Sequence, residues 1–235
     1  MTVADPTLEL ETRAFASGAD VVIGCDEVGR GALAGPVFVG AAVMTPDTPR
    51  AFPAGLRDSK MLSPRRRELL EPAVRRWAAA WALGERRPDQ IDRDGIVACL
   101  GAAAADAVRA VLSAVGMHPG RAAVILDGSQ DWLGPMLADL DVTVVVRPKA
   151  DRDCVVVAAA SVLAKVARDR LLIEGGACWP AYDWARNKGY GSAAHRAAIS
   201  RDGACPWHRR TWIHAEPGLV SDSSPAANGA RIDTR

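Results

Sequence analysis

Apolar residues in this chain fall into short runs that end on acids or glycines, and between the runs they recur at helical spacing. Residues 21–23 read as a buried strand that reaches Asp26, and Val37–Met44 as a second strand after a glycine-rich turn, so a hairpin-like pair is expected. Runs at 122–126 and 142–146 have the form of buried strands, the first delivering Asp127 at its C-terminal end. Residues 78–85 give a weaker strand, because alanine dilutes the β-preference. Helical spacing marks 8–16, 94–115 and 152 to about 172, and a further helix that opens on Ser63 as N-cap and Pro64. Pro72 lies inside that helix and is expected to kink or shorten it. Ser192 caps a short helix through Ile199.

Composition narrows the class. A chain of 235 residues with 49% hydrophobic and 24% charged residues suits one substantial globular domain. A net charge of +1 excludes a histone-like coating protein, so any nucleic-acid contact rests on local basic clusters. Five cysteines at irregular spacing and no apolar leader point to a reduced, cytoplasmic protein. The longest unbroken apolar run, 154–164, is too short for a membrane helix, so no spanning segment is expected. Only four lysines occur, at 60, 149, 165 and 188, each in a segment that stands out on other grounds.

Four acids end or begin predicted elements beside the sheet: Asp26, Glu27, Asp127 and Asp151. Such a cluster repels itself unless cations are present, and two divalent ions would balance it. Hard oxygen donors favour Mg²⁺ or Mn²⁺, and a metal pair serves phosphodiester chemistry. One geometric objection stands. Successive strand residues point to opposite faces, so Asp26 and Glu27 share a site only if the strand ends or bulges there. On local sequence alone, Asp151 also reads as a helix N-cap and Asp127 as a turn residue before Gly128. The turn G29-x-G31-x-x-x-G35 misses dinucleotide-fingerprint spacing, and Pro36 would spoil the helix that must follow. Tryptophans, both tyrosines, His and Arg mingle over 178–214, a composition that suits a nucleic-acid face, although tryptophans are more commonly core.

The blocks GCDEVGRGALAGPV (24–37), DSK (58–60), ILDG (125–128), KAD (149–151), AAASVLAKVARDR (158–170), NKGYG (187–191) and HRRTW (208–212) follow one another in this order. Together they resemble the ribonuclease HII family, of the type 2 ribonucleases H, from about residue 20 to 213. The resemblance implies an α/β, ribonuclease H-like fold: a mixed five-stranded sheet flanked by helices, with a C-terminal helical segment. It implies metal-dependent endonucleolytic cleavage of RNA in RNA–DNA hybrids and on the 5′ side of ribonucleotides embedded in duplex DNA, leaving 5′-phosphate and 3′-hydroxyl ends. Asp26, Glu27, Asp127 and Asp151 fall on the family's catalytic metal-binding acids, with Asp151 preferred to Asp153. Gly29, Arg30 and Gly31 fall on the element that senses the ribose 2′-OH, the group that separates RNA from DNA. Tyr190 falls on the aromatic that packs against the adjoining deoxyribose. Lys60, Arg30 and the basic residues of 186–210 would hold phosphates. Cys25, Ala150 and Gly95 depart from the family's usual residues without removing a proposed ligand.

The expected organisation is a leader over 1–19, a catalytic domain over 20–176, a substrate-binding segment over 177–215 and a disordered tail over 216–235. The tail is the candidate for a replication-clamp contact, which no motif specifies.

Overall fold

The computed structural model describes residues 5–116 and 121–213. The expected tail, with any clamp contact it carries, lies outside them. The sheet has the order β3-β2-β1-β4-β5, built from β1 (Val21–Val28), β2 (Val37–Met44), β3 (Ala80–Arg86), β4 (Ala122–Asp127) and β5 (Val142–Arg147). The β1–β2 and β2–β3 pairs are antiparallel, whereas β1–β4 and β4–β5 are parallel. This is the mixed five-stranded sheet that the resemblance implies.

Alternation along the strands divides the core. Val21, Ile23 and Cys25 of β1, with Val37, Val39, Ala41 and Val43 of β2, face α4 (Ile96–Ala114). Val22, Ala42 and Met44 face α6 (Val155–Cys178) on the other side. Among the described residues α4 alone is long and apolar enough to cross a membrane, a length that the run-by-run reading passes over. Its buried side chains form the core beneath the sheet.

Several expectations change. The helix expected over 94–115 is α4, and a further helix, α3 (Pro88–Asp94), precedes it, the two separated where Gly95 at φ 80° breaks the helical path. The helix expected over 152–172 is a short α5 (Ala150–Asp153) followed by α6, which runs six residues farther. α2 (Pro64–Trp77) is not shortened by Pro72. Pro72 and Glu68, the residue whose carbonyl loses its helical partner, both lie on the exposed side of the helix, where solvent can take the place of the lost N–H. Part of the expected leader is core structure: Leu8, Leu10, Ala14 and Phe15, on or beside α1 (Glu9–Ala16), pack under α6. Of the two readings of the C-terminal tryptophans, core is the one the packing shows. Trp184 stacks between Tyr182 and Trp207, with ring centroids at 5.4 and 5.5 Å, and forms a small core with Leu172 and Ile199.

Close packing of α6 positions the site. Gly40 of β2 lies opposite Asp26 of β1, and a Cβ on Gly40 would meet the Ala160 carbonyl oxygen at 2.4 Å. The helix therefore comes down onto the sheet in the row that holds Asp26. Gly40→Ala is expected to cost about 1–3 kcal/mol by overpacking, read as a lower urea midpoint, with activity falling in parallel because α6 must withdraw.

Candidate active site

Asp26 and Asp127 point to the α6 face of the sheet, and Glu27 to the other. All three nonetheless bring a carboxylate oxygen within 4.8 Å of one another. The strand neither ends nor bulges at Asp26, since β1 stays in register with β2 through Val28. That expectation is corrected by the other flank. The β1–β4 pairing stops at Cys25 and Leu126, and the chain turns away at Gly128, φ 127°. Glu27 has no neighbouring strand there, and its longer side chain reaches around the end of β4.

Burial, then mutual repulsion, sets the electrostatics. Burial raises Asp26 well above the carboxylate range, and Glu27 raises it further, while Ser161 and Lys60 pull it back. Glu27 is raised by burial against the opposing pull of Arg30, whose Nη1 lies 3.6 Å from Glu27 Oε1. Asp127 is raised by burial and by Asp151. Its Oδ1 accepts the Ala150 N–H at 2.7 Å, which aims the carboxylate at the cluster.

Asp151 lies beside this triad and outside its 4.8 Å limit. It is buried inside α5 and caps neither α5 nor α6, whose N-cap positions are Lys149 and Cys154. Asp153 instead pairs with Arg147 and Arg152. Lys60 donates from Nζ to Asp151 Oδ2 at 2.8 Å and lies 4.0 Å from Asp58. Burial lowers the Lys60 pKa, but its bond to Asp151 and the charges of Asp26, Asp151 and Asp58 outweigh that and raise it. The ammonium thus sits among the acids, where a phosphate-holding role was expected.

The turn after β1 is held from inside. Arg168 and Arg209 are both fully buried. Arg168 donates to the carbonyls of Pro36, Ala34 and Lys188 at 2.8, 3.0 and 2.8 Å. Arg209 donates to those of Gly29, Arg30 and Gly35 at 2.6, 2.7 and 3.1 Å. Gly29 has φ 84°, and a Cβ there would meet Arg168 Nε at 2.0 Å. With the carbonyls turned inward, the Arg30 and Gly31 N–H groups donate to no acceptor among the described residues. Gly31 has open space where a Cβ would stand.

Tyr190 is 38% exposed, and its ring lies 5.6 Å from the Arg168 guanidinium. Its backbone is fixed by a buried histidine pair. His208 Nδ1 accepts the Cys205 N–H at 3.0 Å, so its Nε2 carries the proton and, at 3.1 Å, shares the His195 Nε2 lone pair with the Trp184 Nε1–H, also at 3.1 Å. That leaves His195 Nδ1 to donate to the Tyr190 carbonyl at 2.9 Å. Burial and the His195 neighbour push His208 down to about 4, in keeping with two neutral rings.

A family model described as Ribonuclease HII matches residues 23–215. The chain belongs to the ribonuclease HII family. Ribonuclease HII of Streptomyces griseus subsp. griseus is 46% identical over 213 residues, covering 89% of this chain and 84% of that protein. That of Mycobacterium avium is 40% identical over 205 residues, covering 87% and 84%. Ribonuclease H2 of Pyrococcus horikoshii OT3 shares the fold with a TM-score of 0.62 at 26% identity, over 82% of this chain and 93% of its own. The RNase HII solved in a complex with PCNA from Archaeoglobus fulgidus gives 0.65 at 22% identity, over 81% and 93%, a likeness of fold.

Membership makes this chain a ribonuclease H, a hydrolase of a family that uses divalent metals and acts on RNA–DNA hybrids. The donor set fits such ions: three hard carboxylates in mutual reach, each raised by burial and charge crowding. Sequence reasoning missed Asp58, Ser161, Arg168 and the histidine pair, and it grouped Arg209 with the basic residues of 186–210 expected to hold phosphates, whereas Arg209 is fully buried against the turn. All but His195 lie inside the quoted blocks, but Arg168 in its helix gives no local sign that it is buried.

The raised carboxylates fix a sign. The folded state holds protons that the unfolded state has released, so metal-free stability falls as pH rises above about 4, from the unfolded carboxylate range upward. In EDTA, Asp26→Asn is expected to melt higher than the parent at pH 8, with the gap closing toward pH 4, as followed by differential scanning calorimetry.

Proposed function

We propose that the chain cuts RNA in RNA–DNA hybrids and, in duplex DNA, on the 5′ side of embedded ribonucleotides, leaving 5′-phosphate and 3′-hydroxyl ends. One juxtaposition carries this reading. An acid cluster suited to metal lies two residues from a turn with free, outward amides.

Asp26, Glu27, Asp127 and Asp151 would hold two divalent ions, Mg²⁺ or Mn²⁺. Such a pair supplies an activated water and charge stabilisation at the scissile phosphate. The remaining work belongs to the protein. Arg30 and Gly31 offer N–H donors to a 2′-OH, which is absent from DNA, and Gly31 leaves room for the sugar to approach. Tyr190 offers an aromatic face at the surface for the neighbouring deoxyribose. Lys60, released from Asp151 as ions bind, and Arg30 hold phosphates and fix register. Residues 177–215 form the substrate-binding segment, joined to the catalytic part through the arginine-held turn. Five unpaired cysteines accord with a reducing, cytoplasmic setting.

The test is a labelled DNA duplex carrying one ribonucleotide. Cleavage 5′ of it in Mg²⁺ or Mn²⁺, with the all-deoxy duplex left intact, is the expected result. Asp26→Asn is expected to lose about 10³-fold in rate, the worth of several kcal/mol of transition-state charge stabilisation. Gly31→Ala is expected to keep the parent's melting temperature and lose about tenfold on the ribonucleotide duplex, because its methyl group holds the sugar away from the retained N–H and weakens that one hydrogen bond. Equal cutting of the all-deoxy duplex would contradict the sensing role.

A further inference from the structure

The 24-residue α6 starts without a cap of its own. Cys154 stands at its N-cap position and makes no side-chain bond to the first turn. The acceptor comes from 145 residues away: Glu11 of α1 is fully buried, and its Oε1 accepts the Val156 N–H at 2.9 Å. Negative charge at the start of a long helix is favoured by the helix dipole and the unpaired first amides. That partly offsets the cost of burying a carboxylate whose Oε2 has no partner among the described residues.

A second contact falls on the same junction. The Thr7 N–H donates to the Asp153 carbonyl at 3.1 Å, and Thr7 bridges Cys154 in parallel. Residues 153–156 are thus pinned from the N-terminal segment immediately after Asp151. On the other side of Asp151, Asp127 accepts the Ala150 N–H and Lys60 holds the Asp151 carboxylate. Thr7 and Glu11 precede residue 23, where the family match begins.

We propose that residues 7–11 are a positioning element of the active site: Glu11 supplies the cap that α6 lacks and, with Thr7, fixes the α5–α6 junction so that Asp151 is presented beside Asp127. This rests on the reading of Asp151 as a metal-holding acid.

The test uses the full chain with Glu11→Ala, Glu11→Gln and Glu11→Asp, and Asp151→Asn as the control for that reading. Mn²⁺ binding to the free protein is measured by calorimetry, alongside kcat, KM and melting temperature. Glu11→Ala is expected to weaken Mn²⁺ about tenfold, the low end of what supporting contacts of a metal site cost, and to lower kcat with KM unchanged. Glu11→Gln keeps an oxygen for the Val156 N–H and is expected to retain the parent's Mn²⁺ affinity whatever its melting temperature. A Glu11→Ala protein that melts lower yet binds Mn²⁺ like the parent overturns the proposal, as does a Glu11→Gln protein that is equally impaired. If Glu11→Ala does not fold, Glu11→Asp, one methylene short, carries the test: a smaller loss of affinity supports the proposal and an unchanged affinity overturns it. Unchanged Mn²⁺ affinity in Asp151→Asn refutes the reading of Asp151 itself. Loss there with none in the Glu11 variants refutes only the positioning role.

Discussion

Carboxylates repel, and this fold holds Asp26, Glu27 and Asp127 within 4.8 Å of one another where little water screens them. Nothing in the local chain favours that arrangement. It is imposed by a β4 shorter than β1, by a helix lowered onto glycines of the sheet, and by a cation, Lys60, set among the acids. The surrounding structure is arranged to bear the cost. Ser161 on α6 donates to Ser59 and draws the Asp26 pKa down, and Arg67 donates to the Ser59 carbonyl, so the loop carrying Asp58 and Lys60 is tied to the same helix that covers the acids.

The same logic governs the turn after β1. Two buried guanidinium groups satisfy its carbonyls and so expose its amides. The C-terminal segment supplies one of them, Arg209, and the histidine pair that fixes Tyr190. Turn and aromatic are therefore held by buried polar contacts from the C-terminal half of the chain, and the partly exposed Arg30–Glu27 ion pair joins the turn to the acid cluster.

Much of this was legible in the sequence. Apolar runs ending on Asp26 and Asp127 mark both strands and the residues they deliver, since a buried parallel strand leaves few readings open. The strand at 78–85 was only weakly legible, because alanine dilutes its β-preference. The Asp26 and Glu27 faces were not legible, because their meeting depends on where a different strand stops. Pro72 misled because local sequence does not say whether the carbonyl it frees faces water. Arg168, Arg209 and Glu11 stayed hidden for one shared reason. Each meets partners more than a hundred residues away, and a charged residue gives no local sign that it is buried, whether on a helix as Arg168 and Glu11 are or in extended chain as Arg209 is. The aromatics of 178–214 were ambiguous by composition, and packing resolved all but Tyr190 into core.

The account turns on ions replacing Lys60 as the counter-charge to the acids. Anomalous diffraction from crystals of the protein soaked in Mn²⁺ tests this most directly. The account predicts two manganese peaks among Asp26, Glu27, Asp127 and Asp151, with Lys60 withdrawn from Asp151. Manganese bound elsewhere, or no manganese with the Lys60 contact intact, would contradict it.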